Sequence, residues 1–157
     1  MLNYMCANFI NGGHCMWFVK KYDELELDEL EEILGLRQDI FIMEQESFFR
    51  DIDGRDQDAI HVFHKDEGVI KAYCRMEETD HVYISRVIVN PEFRGQGFGR
   101  EIFRYGVALA KERNPGMIIR ITAMSYLTDF YQSFGFKAIS DDYDIAGHDH
   151  IDMELTQ

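Results

Sequence analysis

The residues best suited to chemistry lie in Arg94-Gly95-Gln96-Gly97-Phe98-Gly99-Arg100. Before them runs Tyr83-Ile84-Ser85-Arg86-Val87-Ile88-Val89-Asn90, β-branched and apolar as a buried strand should be, and Pro91 ends it because proline cannot donate to a ladder. After them Ile102, Phe103, Gly106, Leu109 and Ala110 form a helical stripe. Glycines at alternate positions let the chain turn tightly and leave its amides bare. The first amides of a helix have no internal partners and sit at the positive end of its dipole, so this turn is an anion site suited to phosphate or pyrophosphate. Neither Gly-x-Gly-x-x-Gly nor Gly-Lys-Ser/Thr is present, and the strand lies mid-chain, which excludes the dinucleotide and P-loop fingerprints.

Other chemistry-bearing clusters give less. Asp51-Ile52-Asp53-Gly54-Arg55-Asp56-Gln57-Asp58 looks like a calcium loop, but its fifth place is Arg55 and its twelfth is Val62, so it reads as a solvated acidic loop, one that could lie beside an acceptor. His61 and His64 are three apart, which on a strand puts them on opposite faces. His148, His150 and Asp152 alternate and would share a strand face within reach of a metal.

Arg94, Gly97 and Gly99 make an Arg-x-x-Gly-x-Gly behind Val89-Asn90-Pro91, and Tyr131-Gln132-Ser133-Phe134-Gly135-Phe136 follows at a suitable distance. Together these resemble the pyrophosphate loop and the Tyr-x-x-x-Gly-Phe of the GCN5-related N-acetyltransferases (GNAT). The stretches 37–45, 72–75, 125–127 and 150–153 resemble the ElaA-like branch, so the likeness covers about Met16 to the C-terminus. It implies an α/β fold with a mixed, splayed central β-sheet flanked by helices, and acetyl-CoA as co-substrate. The amides of Arg94, Gly95, Gln96, Gly97, Phe98, Gly99 and Arg100 would hold the pyrophosphate. The backbone of Val87, Ile88 and Val89 would run beside the pantetheine, with one amide facing the thioester carbonyl. Tyr131 matches the tyrosine that lies against the cofactor and protonates the departing thiolate. Many relatives carry Asn seven residues before that tyrosine, where this chain has Met124, which offers no comparable hydrogen bond.

The implied reaction is transfer of acetyl to a primary amine in a direct ternary complex, since no cysteine occupies an evident catalytic position. An amine with a pKa near 10 arrives protonated, so the site needs a base. Glu44 is the leading candidate, with Glu46, His61 and Asp53 behind it. Arg75 could face a substrate carboxylate, although pairing with one of the many acids is favoured. No metal is assigned, because thioester aminolysis has no use for one. The alternative from another class is a module that binds acyl-CoA to sense or regulate.

The elements that must position these residues follow from periodicity. Strands are expected over 16–22, 61–65, 69–76, 83–90, 117–123, 136–140 and 150–156, with Asp66-Glu67-Gly68 closing a hairpin. Helices are expected over 28–41, capped at Asp28, then after the glycine turn, and over 126–133. Gly35 inside the first helix would mark a close approach to another element. The 157 residues, 46% hydrophobic, suit one domain over 16–157, with 1–15 a poorly ordered extension. Three cysteines form no framework, as in a reduced cytoplasmic protein. A net charge of −13 argues against nucleic acid and anionic lipid, and Arg86, Arg94, Arg100 and Arg104 would supply a local exception for coenzyme A. The sequence carries no basic, apolar leader and no run of about 18 apolar residues, and it leaves a homodimer open.

Overall fold

The computed structural model describes residues 16–157, so the expectation for 1–15 lies outside it. The chain runs β1 (Trp17–Lys21), α1 (Leu27–Arg37), β2 (Ile60–Asp66), β3 (Val69–Glu78), β4 (Val82–Val89), α2 (Phe98–Arg113), β5 (Ile119–Met124), α3 (Thr128–Gln132), β6 (Lys137–Ala138), β7 (Tyr143–Ile145) and β8 (His148–Leu155). One mixed sheet has the order β1-β2-β3-β4-β5-β8-β6, with β7 on β8. Among the described residues only the β4 and β5 pairing is parallel. The expected α/β architecture is present. The short β7 is additional, its Tyr143-Asp144-Ile145 being too brief to show a period.

Glu67 and Gly68, at φ 51° and 78°, close the β2–β3 hairpin, as a two-residue turn with both φ positive requires. The first helix is capped at Glu26, two residues before the expected Asp28: the Glu26 amide donates to Glu29, and Glu29 also receives Lys20 and Lys65, which ties α1 to β1 and β2. Beyond Arg37 the helix does not stop but widens into π-helical turns over Gln38–Glu44, where the Gln45 amide reaches the Ile40 carbonyl at 2.9 Å. Gly35 meets nothing: no atom lies within 4 Å of where its β-carbon would stand, so the expected close approach is absent.

Each sheet face has its own core. Ile84, Cys74, Ile102, Phe103 and Ala110 fill the α2 side, and Ile33, Ile40, Phe63, Tyr73 and Ile88 the α1 side. Here the close approach belongs to Gly106, whose added β-carbon would stand 3.2 Å from Cys74 Sγ and 3.7 Å from Ile84 Cδ1. Gly106→Val should therefore push α2 off the sheet and lower stability by about 1–3 kcal/mol, read from a shifted urea midpoint at unchanged slope.

Candidate active site

Two breaks in β4 build the site. The first is its separation from β5. The strands pair only at Val82 with Ile119 and Tyr83 with Arg120, yet β4 runs on to Val89 and β5 to Met124, where its partner is β8. A gap opens between two strands whose backbone groups are free on that side. The second break is a bulge. Tyr73 pairs with Ile88 but Arg75 pairs with Ser85, so Arg86 and Val87 together face Cys74. Arg86 has φ 55°, an unusual conformation for a residue with a β-carbon. The bulge reverses the alternation of the strand: Val82 and Ile84 belong to the α2-side core, and so does Val87 instead of Ile88.

At the end of β4 comes the glycine turn. Gly97 caps α2 at φ 89°, and Gly95 has φ 76°, so both hold conformations that disfavour side chains. Nothing lies within 4 Å of a β-carbon placed on either, and Arg94, Gly95, Gln96 and Gly97 are exposed. The start of a sixteen-residue helix is thus presented to open space at the end of the β4 side of the gap. Arg94 reaches across to Glu44, 2.9 Å away, with both side chains about half exposed. Arg100 bonds Ser133 at 3.2 Å and lies 5.0 Å over the Phe134 ring, joining the turn to α3.

Tyr131 lies on that helix, buried, with its ring edge-on to Phe103 of α2 at 4.9 Å. Burial pushes its phenol up to about 12, so it is protonated throughout the physiological range. The buried Cys74 thiol is pushed up to about 12 by the same cause. Met124 ends β5 opposite His150.

The acidic loop is not a solvated one, because its carboxylates neutralise two arginines that the fold buries and a third, Arg86, that it largely covers. Arg37 is fully buried: Nε donates to Asp51 at 2.8 Å and Nη1 to Asp56 at 2.7 Å. Arg75 donates to both oxygens of Asp53 at 2.9 Å and to Asp56 at 3.0 Å, and its Nη2 lies 3.4 Å from Glu77. It is a structural ion pair, as the sequence favoured. Arg86 donates to Asp51 at 2.6 Å and to Asp53 at 3.3 Å, under the ring of Phe49. It is therefore spent on this network and does not join the basic surroundings of the glycine turn, where Arg94 and Arg100 remain with Arg104 exposed further along α2.

These contacts sort the base candidates. His61 is fully buried; its Nε2 lies 2.9 Å from the Asp56 carbonyl and must carry the proton, so Nδ1 accepts from the Tyr73 hydroxyl at 2.9 Å. Burial lowers its pKa, and no nitrogen is left for a substrate. Burial would raise Asp53, but Arg75, the Arg55 amide and Arg86 together hold it well below the ordinary carboxylate range. Glu46 is exposed at φ 53°. Glu44 faces the glycine turn through Arg94. Beside the network, α1 and residues 49–52 flank an open groove of about 850 Å³ whose lining includes Leu30, Leu34, Gly35, Ile42, Phe49, Asp51 and Ile52.

At the other end of the sheet Asp152 accepts from Thr122 and Tyr143, and the His150 ring lies 2.7 Å from the His148 carbonyl. Among the described residues no group of three or more His, Cys, Asp or Glu could hold a metal, and no helix is long and apolar enough to cross a membrane.

Parallel strands that part beside a glycine turn at a helix start define a class. The chain belongs to the GNAT acetyltransferase family, whose model, described as an acetyltransferase (GNAT) domain, matches residues 31–157. Within it, the chain is 32% identical to the Escherichia coli protein ElaA over 143 residues, 87% of this chain and 94% of ElaA. The crystal structure of E. coli ElaA superposes with a TM-score of 0.83 at 31% identity, covering 88% and 97% of the two chains. A UPF0039 protein of Synechocystis is 31% identical over 142 residues, 87% of this chain and 92% of its own. A structure described as an acyl-CoA N-acyltransferase from Pseudomonas aeruginosa superposes with a TM-score of 0.85 at 28% identity, covering 89% and 98%. The family's fold binds an acyl-CoA and an acceptor.

The network of Asp51, Asp53 and Asp56 was missed by sequence reasoning, although Arg37 on the apolar face of the first helix was its signal. Burial raises Asp56 while Arg37 and Arg75 lower it further, so its folded pKa lies below the unfolded one. That sign means the stabilisation is complete above about pH 4 and is lost as pH falls through the folded value. Stability in urea unfolding should weaken gradually between pH 7 and 5, because burial keeps His61 and His64 neutral while the unfolded chain takes up those protons, and should weaken steeply below 4 as the aspartates protonate. Asp56→Asn, which leaves Arg37 and Arg75 short of a charge, should lose about 3–5 kcal/mol at pH 7 and show a flatter acid response.

Proposed function

We propose that the protein is an acetyl-CoA-dependent N-acetyltransferase acting on a primary amine in the cytoplasm through a direct ternary complex. The observation that carries this reading is the parting of β4 from β5 next to the exposed turn at Gly95 and Gly97. An anion on the turn amides would place an attached chain along the free edge of Val87, Ile88 and Val89. Arg94 would then exchange Glu44 for the diphosphate, and the freed Glu44 carboxylate would receive the ammonium proton of the acceptor. The neutral amine attacks the thioester carbonyl carbon, the carbon–sulfur bond breaks, the Tyr131 hydroxyl gives its proton to the thiolate, and the proton that the nitrogen sheds as the amide forms restores the Tyr131 phenol. Burial holds the Tyr131 phenol near 12, so it reaches the step protonated and able to donate. The groove between α1 and residues 49–52 supports an acceptor approach from that side.

Calorimetric titration with acetyl-CoA should give a dissociation constant of order micromolar, about −8 kcal/mol. Gly97→Glu, which puts a charged side chain at φ 89°, should abolish it. Absence of binding to the unmodified protein would overturn the reading. With an amine panel and thiol release as the assay, Tyr131→Phe should lower kcat by about 10²-fold while leaving cofactor affinity intact. The pH profile of the unmodified enzyme should rise as the amine deprotonates and show no falling limb up to about pH 10, since Tyr131 keeps its proton beyond that point. Binding without turnover for any amine would instead favour a sensor.

A further inference from the structure

The bulge at Arg86 and Val87 needs a cause. A non-glycine residue at φ 55° is strained, and an ordinary strand pairing would relieve it. The two residues on either side of the peptide show what prevents relief. Ser85 accepts from Arg75 Nε at 3.2 Å, and Arg86 also turns to the α1 side, so two consecutive side chains point to the same face. Arg86 is held there at two points. Its Nε bonds Asp51 Oδ1 at 2.6 Å, and its Nη2 bonds the Asp51 carbonyl at 3.1 Å. Asp51 in turn is fixed from behind by the fully buried Arg37, which takes Oδ2 at 2.8 Å and the same carbonyl at 2.9 Å. Asp53 adds a longer contact to Arg86, and the Phe49 ring covers the guanidinium at 5.1 Å. Arg75 and Arg37 are the other charged groups facing this point, and Asp53 and Asp56 satisfy both.

We propose that Asp51 is a positioning residue for acyl transfer: by clasping the Arg86 guanidinium against Arg37 it holds Arg86 in the left-handed conformation, which turns the Val87 amide into the gap to face the thioester carbonyl. The inference rests on the acetyl-CoA reading of the same gap. Asp51 acts on the transfer through the backbone of Arg86 and not on the reacting atoms. Glycine adopts φ 55° without strain, so a glycine at position 86 needs no clasp. A merely stabilising ion pair would show no such distinction.

The test reads the carbonyl of bound [1-¹³C]acetyl-CoA by NMR in the full chain, with calorimetry for affinity. In the unmodified protein the resonance should be displaced on binding by the amide hydrogen bond. Asp51→Asn and Arg86→Ala should reduce that displacement to less than about half, with affinity kept within about tenfold because the glycine turn is untouched. Arg86→Gly should keep the displacement, and Arg86→Gly should restore it in the Asp51→Asn background. The comparison of Ala with Gly at 86 stands even where Asp51→Asn fails to fold, because both remove the ion pair and differ in backbone freedom. Full displacement in Arg86→Ala, or equal loss in Arg86→Gly, overturns the clasp while leaving the acetyl-CoA reading intact. No binding by the unmodified protein overturns both.

Discussion

Three guanidinium groups, from α1, β3 and β4, are carried under a single loop, and a charge removed from water must be matched by another. Arg37, Arg75 and Arg86 cannot be buried until Asp51, Asp53 and Asp56 arrive, so the loop cannot be displaced without stranding them. Geometry as well as charge is fixed, because a planar guanidinium accepts partners only along its N–H directions. The loop after the π-helical turns is thereby registered against β3 and β4. The wall of the gap on the β4 side inherits that registration.

Much of this was legible in the residues and some was not. The strand, glycine turn and helix around 83–113 announce themselves because β-branched residues, Pro91, alternate glycines and a helical stripe are all local signals. The Tyr131 motif is equally local. The parting of β4 from β5 leaves no mark, since Val87-Ile88-Val89 is apolar on both faces and reads as an unbroken strand. The one-residue change of phase at Arg86 has a single local mark, the consecutive polar pair Ser85-Arg86, and the apolar run that follows it shows no alternation to confirm the slip. Family resemblance supplied the splay, and the structure shows where it begins.

The acidic loop shows the opposite failure. Asp51, Asp53 and Asp56 were read as solvated once Arg55 and Val62 broke the calcium-loop pattern, with no partner sought for them. Arg37, placed by its spacing beside Leu30, Ile33 and Leu34, was the cue that a buried cation needed a partner. Two separately improbable residues become one ordinary pair when considered together. His61 follows the same logic, since three residues from His64 it was placed on the other face correctly and only the Asp56 carbonyl and the Tyr73 hydroxyl reveal that its ring is spent.

The thin seam between β4 and β5 divides the sheet into two leaves, β1 to β4 on one side and β5 to β8 on the other, stitched at two paired positions and backed by α2. Val87 rides on the first leaf and Tyr131 follows the second. Their separation is therefore set by a dihedral angle between leaves and not by either leaf alone. Phe103 of α2, with Tyr131, Phe130 and Phe134 around it, is the spacer that fixes that angle. The aromatic cluster far from the acidic loop thus works as the spine of a book, and its thickness governs how wide the pages stand.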